Sequence, residues 1–184
     1  VVWSYAKAGI RDVDRLFNII QEVIPYQVRL FIPQALVRIA MSYAKAGVYS
    51  PTVFDVIGGE LAGKVDCLSS GLISNTLWSY RKAGMYSPML FQAIEKVIPQ
   101  KIHTFHSRDL LNTILSYAKL QIKSEVVFHM IGKHISYHIH SLHHKDIVRL
   151  LLCYAEANVF NPKLFVLVDK QVMQYFNDFN DRDW

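Results

Sequence analysis

Basic and amide side chains recur along the chain at a regular spacing. Guanidinium and amide groups can hydrogen-bond to base edges, and lysine side chains neutralise phosphates. We call these residues the polar band: Arg38, Lys45, Asn75, Lys82, Arg108, Asn112, Lys119, Lys145 and Arg149. A small side chain lies between them in each segment, at Ser42, Ser79, Ser116 and Cys153, and we expect these positions to share the same surface. Glu156 stands where the pattern would place a further lysine, so the last segment departs from the pattern.

Positive charge is concentrated in the segments that contain the polar band. Residues 1–9, 34–47, 71–84, 108–121 and 145–158 hold nine basic and three acidic residues, whereas the rest of the chain holds 11 basic and 12 acidic residues. The whole chain has a formal net charge of +5. A surface that faces a polyanion requires this distribution. An ordinary solvated helix face would also be polar, and the sequence leaves that alternative open.

Residues for catalysis or metal binding do not form a recognisable set. His134 and His138 have the i, i+4 spacing of a metal-binding pair on a helix, but no cysteine or carboxylate completes a tetrahedral site at a useful spacing. The sequence has no glycine-rich phosphate loop and no evident Ser-His-Asp or paired-carboxylate motif. We therefore predict no metal site, no cofactor and no enzymatic activity.

The composition excludes several classes of protein. Hydrophobic residues make up 52% of the 184 residues and charged residues 19%, which is unlike a disordered chain. No apolar run reaches the roughly 18 residues needed to cross a bilayer, so we expect no membrane insertion. The two cysteines, Cys67 and Cys153, do not favour a disulfide-framed secreted domain.

Three ladders of large side chains share a single period, which indicates a repeat protein. The first ladder is Tyr5, Tyr43, Tyr80, Tyr117 and Tyr154, in steps of 38, 37, 37 and 37 residues. The second is Phe17, Phe54, Phe91, Phe128 and Phe165, and every step is 37 residues. The third is Phe31, Leu68, Phe105, Leu142 and Phe179, again with steps of 37.

Each repeat is predicted to form two helices, which we call helix A and helix B. In helix A, apolar residues such as Leu36, Ala40 and Tyr43 form one stripe of helical period. A residue that tolerates left-handed backbone follows it, at Gly47, Gly84 and Asn158. At the start of helix A we expect a first-turn proline at Pro33 and capping hydroxyls at Ser70 and Ser107.

Helix B is predicted to begin at a capping residue followed by proline, as at Ser50-Pro51, Ser87-Pro88 and Asn161-Pro162. Its apolar residues, such as Phe54, Ile57 and Leu61, recur at i, i+3 and i+7 on one face. We expect Pro25 and Pro99 to end two of these helices.

Neither helix can bury its apolar stripe alone, so neighbouring repeats must pack together. We predict an all-α fold, an α-solenoid of stacked two-helix repeats of about 37 residues. Residues 1–184 are predicted to form a single array of about five repeats, with both ends inside a repeat. In this arrangement the tyrosine and phenylalanine ladders belong to the core, and the polar band lies along one surface.

The period and the helix A string LLNTILSYAKLQ (Leu110–Gln121) resemble the heptatricopeptide repeats. These repeats occur in organellar RNA-binding proteins of apicomplexan parasites, often ahead of a C-terminal RAP domain. They are similar in pattern to octotricopeptide repeats and to the helical repeats of the Fas-activated serine/threonine kinase family. The resemblance covers essentially the whole chain.

The resemblance implies RNA binding in a mitochondrion or another organelle, in a ribonucleoprotein such as a mitochondrial ribosome. We therefore expect the chain to clamp or stabilise RNA, single-stranded or ribosomal, beside other proteins of the assembly. The alternative is a protein-binding scaffold of the HEAT type, which would use the same surface for a peptide or a subunit.

Overall fold

The computed structural model describes residues 13–174, and every regular element in this range is helical. The α-helices are α1 (Val13–Gln27), α2 (Pro33–Ala46), α3 (Pro51–Gly63), α4 (Ser70–Ala83), α5 (Pro88–Lys101), α6 (Ser107–Lys119), α7 (Glu125–Ser136), α8 (His144–Ala157) and α9 (Pro162–Gln174). A short 3₁₀ helix follows each of α1, α3, α5 and α7. The even-numbered helices correspond to helix A and the odd-numbered helices to helix B. The prediction of an all-α protein is confirmed for this range.

The even-numbered helices end as the sequence predicts. Gly47, Gly84 and Asn158 have φ values of 70°, 66° and 53°, in the left-handed region. Gln121 occupies the equivalent position after α6 with a φ of 56°. The residue after each of them donates its backbone N–H to a carbonyl in the last turn of the helix, so four similar turns lead into the following helix.

Two groups of predicted helix ends are displaced by one or two residues. The N-caps of α4 and α6 are Ser69 and His106, so our assignment of Ser70 and Ser107 as capping residues was wrong. Pro25 and Pro99 do not end α1 and α5 but lie inside them, two residues before the end. A proline lacks only its own N–H, and the residues after it can still donate to carbonyls one turn back.

The described residues divide into two compact units, with the boundary between Val97 and Ile98. In the first unit α1 packs on α3, α2 packs on α4, and α2 also contacts α3. In the second unit α6 packs on α8 and α7 packs on α9, and α6 and α8 also contact α7 and α9 respectively. In each unit, therefore, helices A pack on helices A and helices B on helices B, which forms two layers.

The tyrosine ladder lies in the core between these layers. Tyr43, Tyr80 and Tyr154 are fully buried, and their hydroxyls donate to the backbone oxygens of the residues 26 positions earlier, at 2.7, 2.5 and 2.6 Å. Each ring meets the phenylalanine at that earlier position edge-on, with ring centroids 4.4, 5.0 and 5.3 Å apart. Such pairs contribute about 0.5–1.5 kcal/mol beyond their buried area. The prediction that this ladder belongs to the core is confirmed.

The other two ladders are also largely buried. The buried members are Phe17, Phe54, Phe91, Phe128, Leu68, Phe105 and Leu142, whereas Phe31 and Phe165 are half-buried. Tyr5, Phe179 and the predicted start of a sixth helix A lie outside the described residues. Between residues 13 and 174, no helix combines the length and apolar character needed to span a membrane.

Candidate nucleic-acid interface

The polar band lies on the four helices A. Arg38 and Lys45 belong to α2, and Asn75 and Lys82 belong to α4. Arg108, Asn112 and Lys119 lie on α6, and Lys145 and Arg149 lie on α8. Eight of these nine side chains are exposed, and Asn112 is half-buried. A ligand in solution can therefore reach the exposed side chains.

The small residues between them are almost fully buried and add no exposed polar side chain to this surface. Ser42, Ser79 and Ser116 are 1%, 0% and 0% exposed, and Cys153 is 1% exposed. Each serine hydroxyl donates to the backbone oxygen four residues earlier, at 2.6–2.7 Å, so the helix itself satisfies it. Our prediction that these positions share the exposed surface was wrong. An α-helix has about 3.6 residues per turn, so a residue four positions further on is not directly above the first one. In these helices the small rotation turns the side chain towards the core.

A groove of about 490 Å³ lies between α6 and α8 in the second unit. Three members of the polar band, Arg108, Asn112 and Arg149, contribute to its lining. The remaining lining residues are Ser107, Leu111, Leu115, Leu142, Asp146 and Cys153. Apolar walls next to guanidinium and amide groups can accept a planar group that has polar edges, such as a nucleobase.

Acidic partners reduce the positive charge in the second unit. Lys119 Nζ lies 2.5 Å from Glu156 Oε1, and the two residues are 37 positions apart. Arg149 Nη1 lies 3.3 Å from Asp146 Oδ1 one turn earlier on α8. Both pairs are at least one-third exposed, so water and salt screen them. Glu156 therefore lowers the positive charge of the polar band in two ways. It stands at a position where the pattern would have a lysine, and it neutralises Lys119 of the preceding helix A.

The buried tyrosines cannot serve as a stacking surface for bases. Burial raises the pKa of Tyr43, Tyr80 and Tyr154 well above the usual value for tyrosine. Helix B approaches two of these hydroxyls closely at a glycine: a Cβ placed on Gly58 would lie 2.8 Å from the Tyr80 hydroxyl oxygen, and one on Gly132 would meet the Tyr154 hydroxyl. The tyrosines therefore join the two helix layers rather than contact a ligand.

The histidines of the second unit make local contacts. The rings of His134 and His138 have centroids 5.3 Å apart, and His140 Nδ1 lies 2.5 Å from Gln171 Oε1. Burial lowers the pKa of His134, and the neighbouring His138 and His103 lower it further. Within residues 13–174, no group of three or more histidine, cysteine or acidic side chains is arranged to hold a metal ion.

Sequence reasoning missed the apolar part of the groove. Leu111 and Leu115 are spaced i, i+4 beside Arg108 and Asn112, so a helical projection of α6 could have identified them. Leu142 follows a 3₁₀ helix, and only the packing of α8 on α6 brings it to the groove.

Comparisons with known proteins give no family assignment, since no protein-family model matches the chain and no curated protein matches it significantly.

Proposed function

We propose that this chain binds RNA through the polar band, without performing a chemical reaction on it. The observation that carries the proposal is the exposure of eight of the nine polar-band side chains on helices A. These helices also hold the excess of positive charge in the sequence. In this proposal lysines and arginines neutralise phosphates, and Asn75 and Asn112 donate and accept hydrogen bonds at base edges.

We also propose that the repeats form an α-solenoid with a period of about 37 residues. The same alternating packing of helices in both units supports this arrangement. A further support is the hydrogen bond from tyrosine to the backbone oxygen 26 residues earlier, which recurs at Tyr43, Tyr80 and Tyr154. Solenoids present equivalent side chains of successive repeats to one extended ligand.

The cellular setting of the proposal comes from the resemblance to heptatricopeptide repeats. On this basis we propose that the protein acts in a mitochondrion or another organelle, as an RNA-clamping component of a ribonucleoprotein such as a mitochondrial ribosome. Crosslinking the protein to RNA in cells and sequencing the attached RNA would distinguish ribosomal from messenger targets.

A salt titration of RNA binding tests the role of the band. We would replace Lys45 and Lys82 by glutamate and measure affinity for a fluorescent single-stranded RNA between 50 and 200 mM salt. If both lysines contact phosphates, the slope of log K against log[salt] should fall by about 1.4, since each contact on a single strand contributes about 0.7. The matched control replaces Lys96 and Lys163, exposed lysines of helices B, by glutamate.

The comparison between the two variants decides the test. Both lose the same formal charge, so a general effect of charge would weaken binding equally in both. A salt slope that changes only in the Lys45 and Lys82 variant supports phosphate contact by the polar band. Equal slopes in wild type and both variants would refute it.

A protein-binding scaffold is a second candidate function. Tyr26, Leu30 and Ile32, at and after the end of α1, are 89%, 81% and 64% exposed. Exposed apolar groups that lie close together in sequence are typical of protein-interaction sites. This function predicts weak affinity for single-stranded RNA even at low salt, and a defined protein complex that the substitution Leu30→Asp disrupts. A ribosomal subunit would have both properties.

A further inference from the structure

An exposed aromatic ring occupies one position of the turn between helix A and helix B. Tyr49 and Tyr86, both in the first unit, are 60% and 47% exposed, and they are 37 residues apart. Phe160 in the second unit is 76% exposed and holds the same position of its turn. In the intervening turn the equivalent residue is Lys123. The position therefore carries either a flat ring or a positive charge.

The turn fixes the backbone on both sides of these rings. Before Tyr49, the Val48 N–H donates to the Tyr43 carbonyl oxygen at 3.0 Å. After it, Ser50 is buried, and its hydroxyl caps α3 by accepting a hydrogen bond from the Val53 N–H. Because the backbone around the ring is already ordered, a ligand that binds the ring does not have to order the turn as well.

The second turn has the same construction. The Met85 N–H donates to the Tyr80 carbonyl oxygen at 2.9 Å, and Ser87 is buried. The Tyr86 ring also meets Phe91 edge-on, with centroids 5.3 Å apart, while almost half of its surface stays exposed. The contact with Phe91 supports one side of the ring and leaves the remainder available for stacking.

The charges next to the two tyrosines favour a polyanion as the ligand. Lys45 and Lys82 are exposed in the last turns of α2 and α4, four residues before the tyrosines. No acidic residue occurs in segments 45–54 and 82–91. An aromatic ring and a lysine in the same short segment suit unpaired nucleotides, because the ring can stack on a base and the lysine can neutralise a phosphate.

We propose that Tyr49 and Tyr86 are stacking platforms for unpaired bases of single-stranded RNA, an inference that rests on the RNA-binding function proposed above. Lys45 and Lys82 bind the phosphates of the same nucleotides. Phe160 contributes less, since Glu156 replaces the lysine four residues before it and adds a negative charge. The buried tyrosine ladder and these exposed rings thus have separate roles.

The test compares a single-stranded RNA with an oligonucleotide of the same length that lacks the bases but keeps the phosphates. Replacing Tyr49 or Tyr86 by alanine should weaken binding of the RNA about fivefold or more for each ring, and leave binding of the abasic oligonucleotide unchanged. The salt slope should not change, because no phosphate contact is removed. Tyr→Phe variants keep the ring and should bind like wild type.

Two controls separate stacking from other effects. Tyr→Leu variants at the same positions keep an apolar side chain without a π face, and we expect them to bind as weakly as the alanine variants. Tyr26→Ala and Tyr137→Ala remove exposed tyrosines, 89% and 71% accessible, that lie outside these turns, and should leave RNA binding unchanged. Circular dichroism of each variant shows whether it is folded.

The outcomes distinguish this proposal from the RNA-binding function on which it rests. If wild type binds RNA with a steep salt slope and the Tyr49 and Tyr86 alanine variants bind equally well, the stacking proposal is wrong, whereas the proposed RNA binding is not contradicted. If wild type binds neither oligonucleotide at low salt, both proposals are wrong.

Discussion

Gly58 and Gly59 are neighbours in α3, and replacing each by alanine should change the stability of the protein in opposite directions. Alanine in a helix interior is normally favoured over glycine by about 0.5–1 kcal/mol, because glycine loses more backbone freedom on folding. At Gly59 a new Cβ would meet nothing within 4 Å. We therefore expect Gly59→Ala to raise the free energy of unfolding by about 0.5–1 kcal/mol.

At Gly58 the same methyl group has no room. It would lie 2.8 Å from the Tyr80 hydroxyl oxygen and 2.7 Å from Ser87 Oγ. The serine side chain can rotate, but the tyrosine is fully buried and its hydroxyl donates to the Phe54 carbonyl oxygen at 2.5 Å. Overpacking of this kind costs about 1–3 kcal/mol. Breaking the buried hydrogen bond to relieve the contact would cost a similar amount.

The two variants can be compared by thermal unfolding followed by circular dichroism. For a chain of this size, 1 kcal/mol corresponds to a shift of about 2–4 °C in Tm. Gly58→Ala should lower Tm by several degrees, and Gly59→Ala should raise it slightly. Equal shifts in the same direction would show that α3 does not approach Tyr80 at Gly58, and would refute the description of this contact.

Two further predictions concern the second unit. Tyr154→Phe removes the hydroxyl that donates to the buried Phe128 carbonyl oxygen, so urea unfolding should show a loss of about 0.5–1.5 kcal/mol at neutral pH. Burial raises the pKa of Tyr154 above the unfolded value of about 10, so its contribution is complete below that pH and is lost as the pH rises further. Stability should therefore fall less steeply above pH about 10 in Tyr154→Phe than in wild type, and parallel curves would contradict the assignment. Glu156→Gln removes the acidic partner of Lys119. RNA binding should therefore tighten at low salt, and its salt slope should steepen by up to about 0.7. An unchanged slope would exclude Lys119 from phosphate contact.

Helix positions and the core were accessible from the sequence because their signals are local and periodic. Gly47 and Gly84 end their helices where the apolar stripe stops, and only residues that tolerate positive φ fit there without strain. The same spacing identified Tyr43 as a core residue through its stripe with Leu36 and Ala40. The errors at helix ends, such as Pro25, arise because one missing N–H does not stop the last turn.

The candidate site was only partly accessible, because exposure and pairing depend on neighbours that are distant in sequence. Spacing alone placed Ser42 on the same surface as Arg38 and Lys45, but packing against the adjacent helix buries its hydroxyl. The exposed tyrosines at the helix A to helix B turns also needed the structure, since sequence does not show which of ten tyrosines reach solvent.

The amino-acid sequence by itself determined the helical class, the approximate bounds of the helices and the residues that form the core. The reason is that apolar residues recur with a period near 3.6 within each helix, and equivalent aromatic residues recur about every 37 positions along the chain. Tertiary structure decided which polar side chains remain at the surface and which find a partner. The pairing of Lys119 with Glu156 and the groove beside Arg108 exist only because α6 and α8 pack together, and residue order alone does not specify distances of a few ångströms between helices.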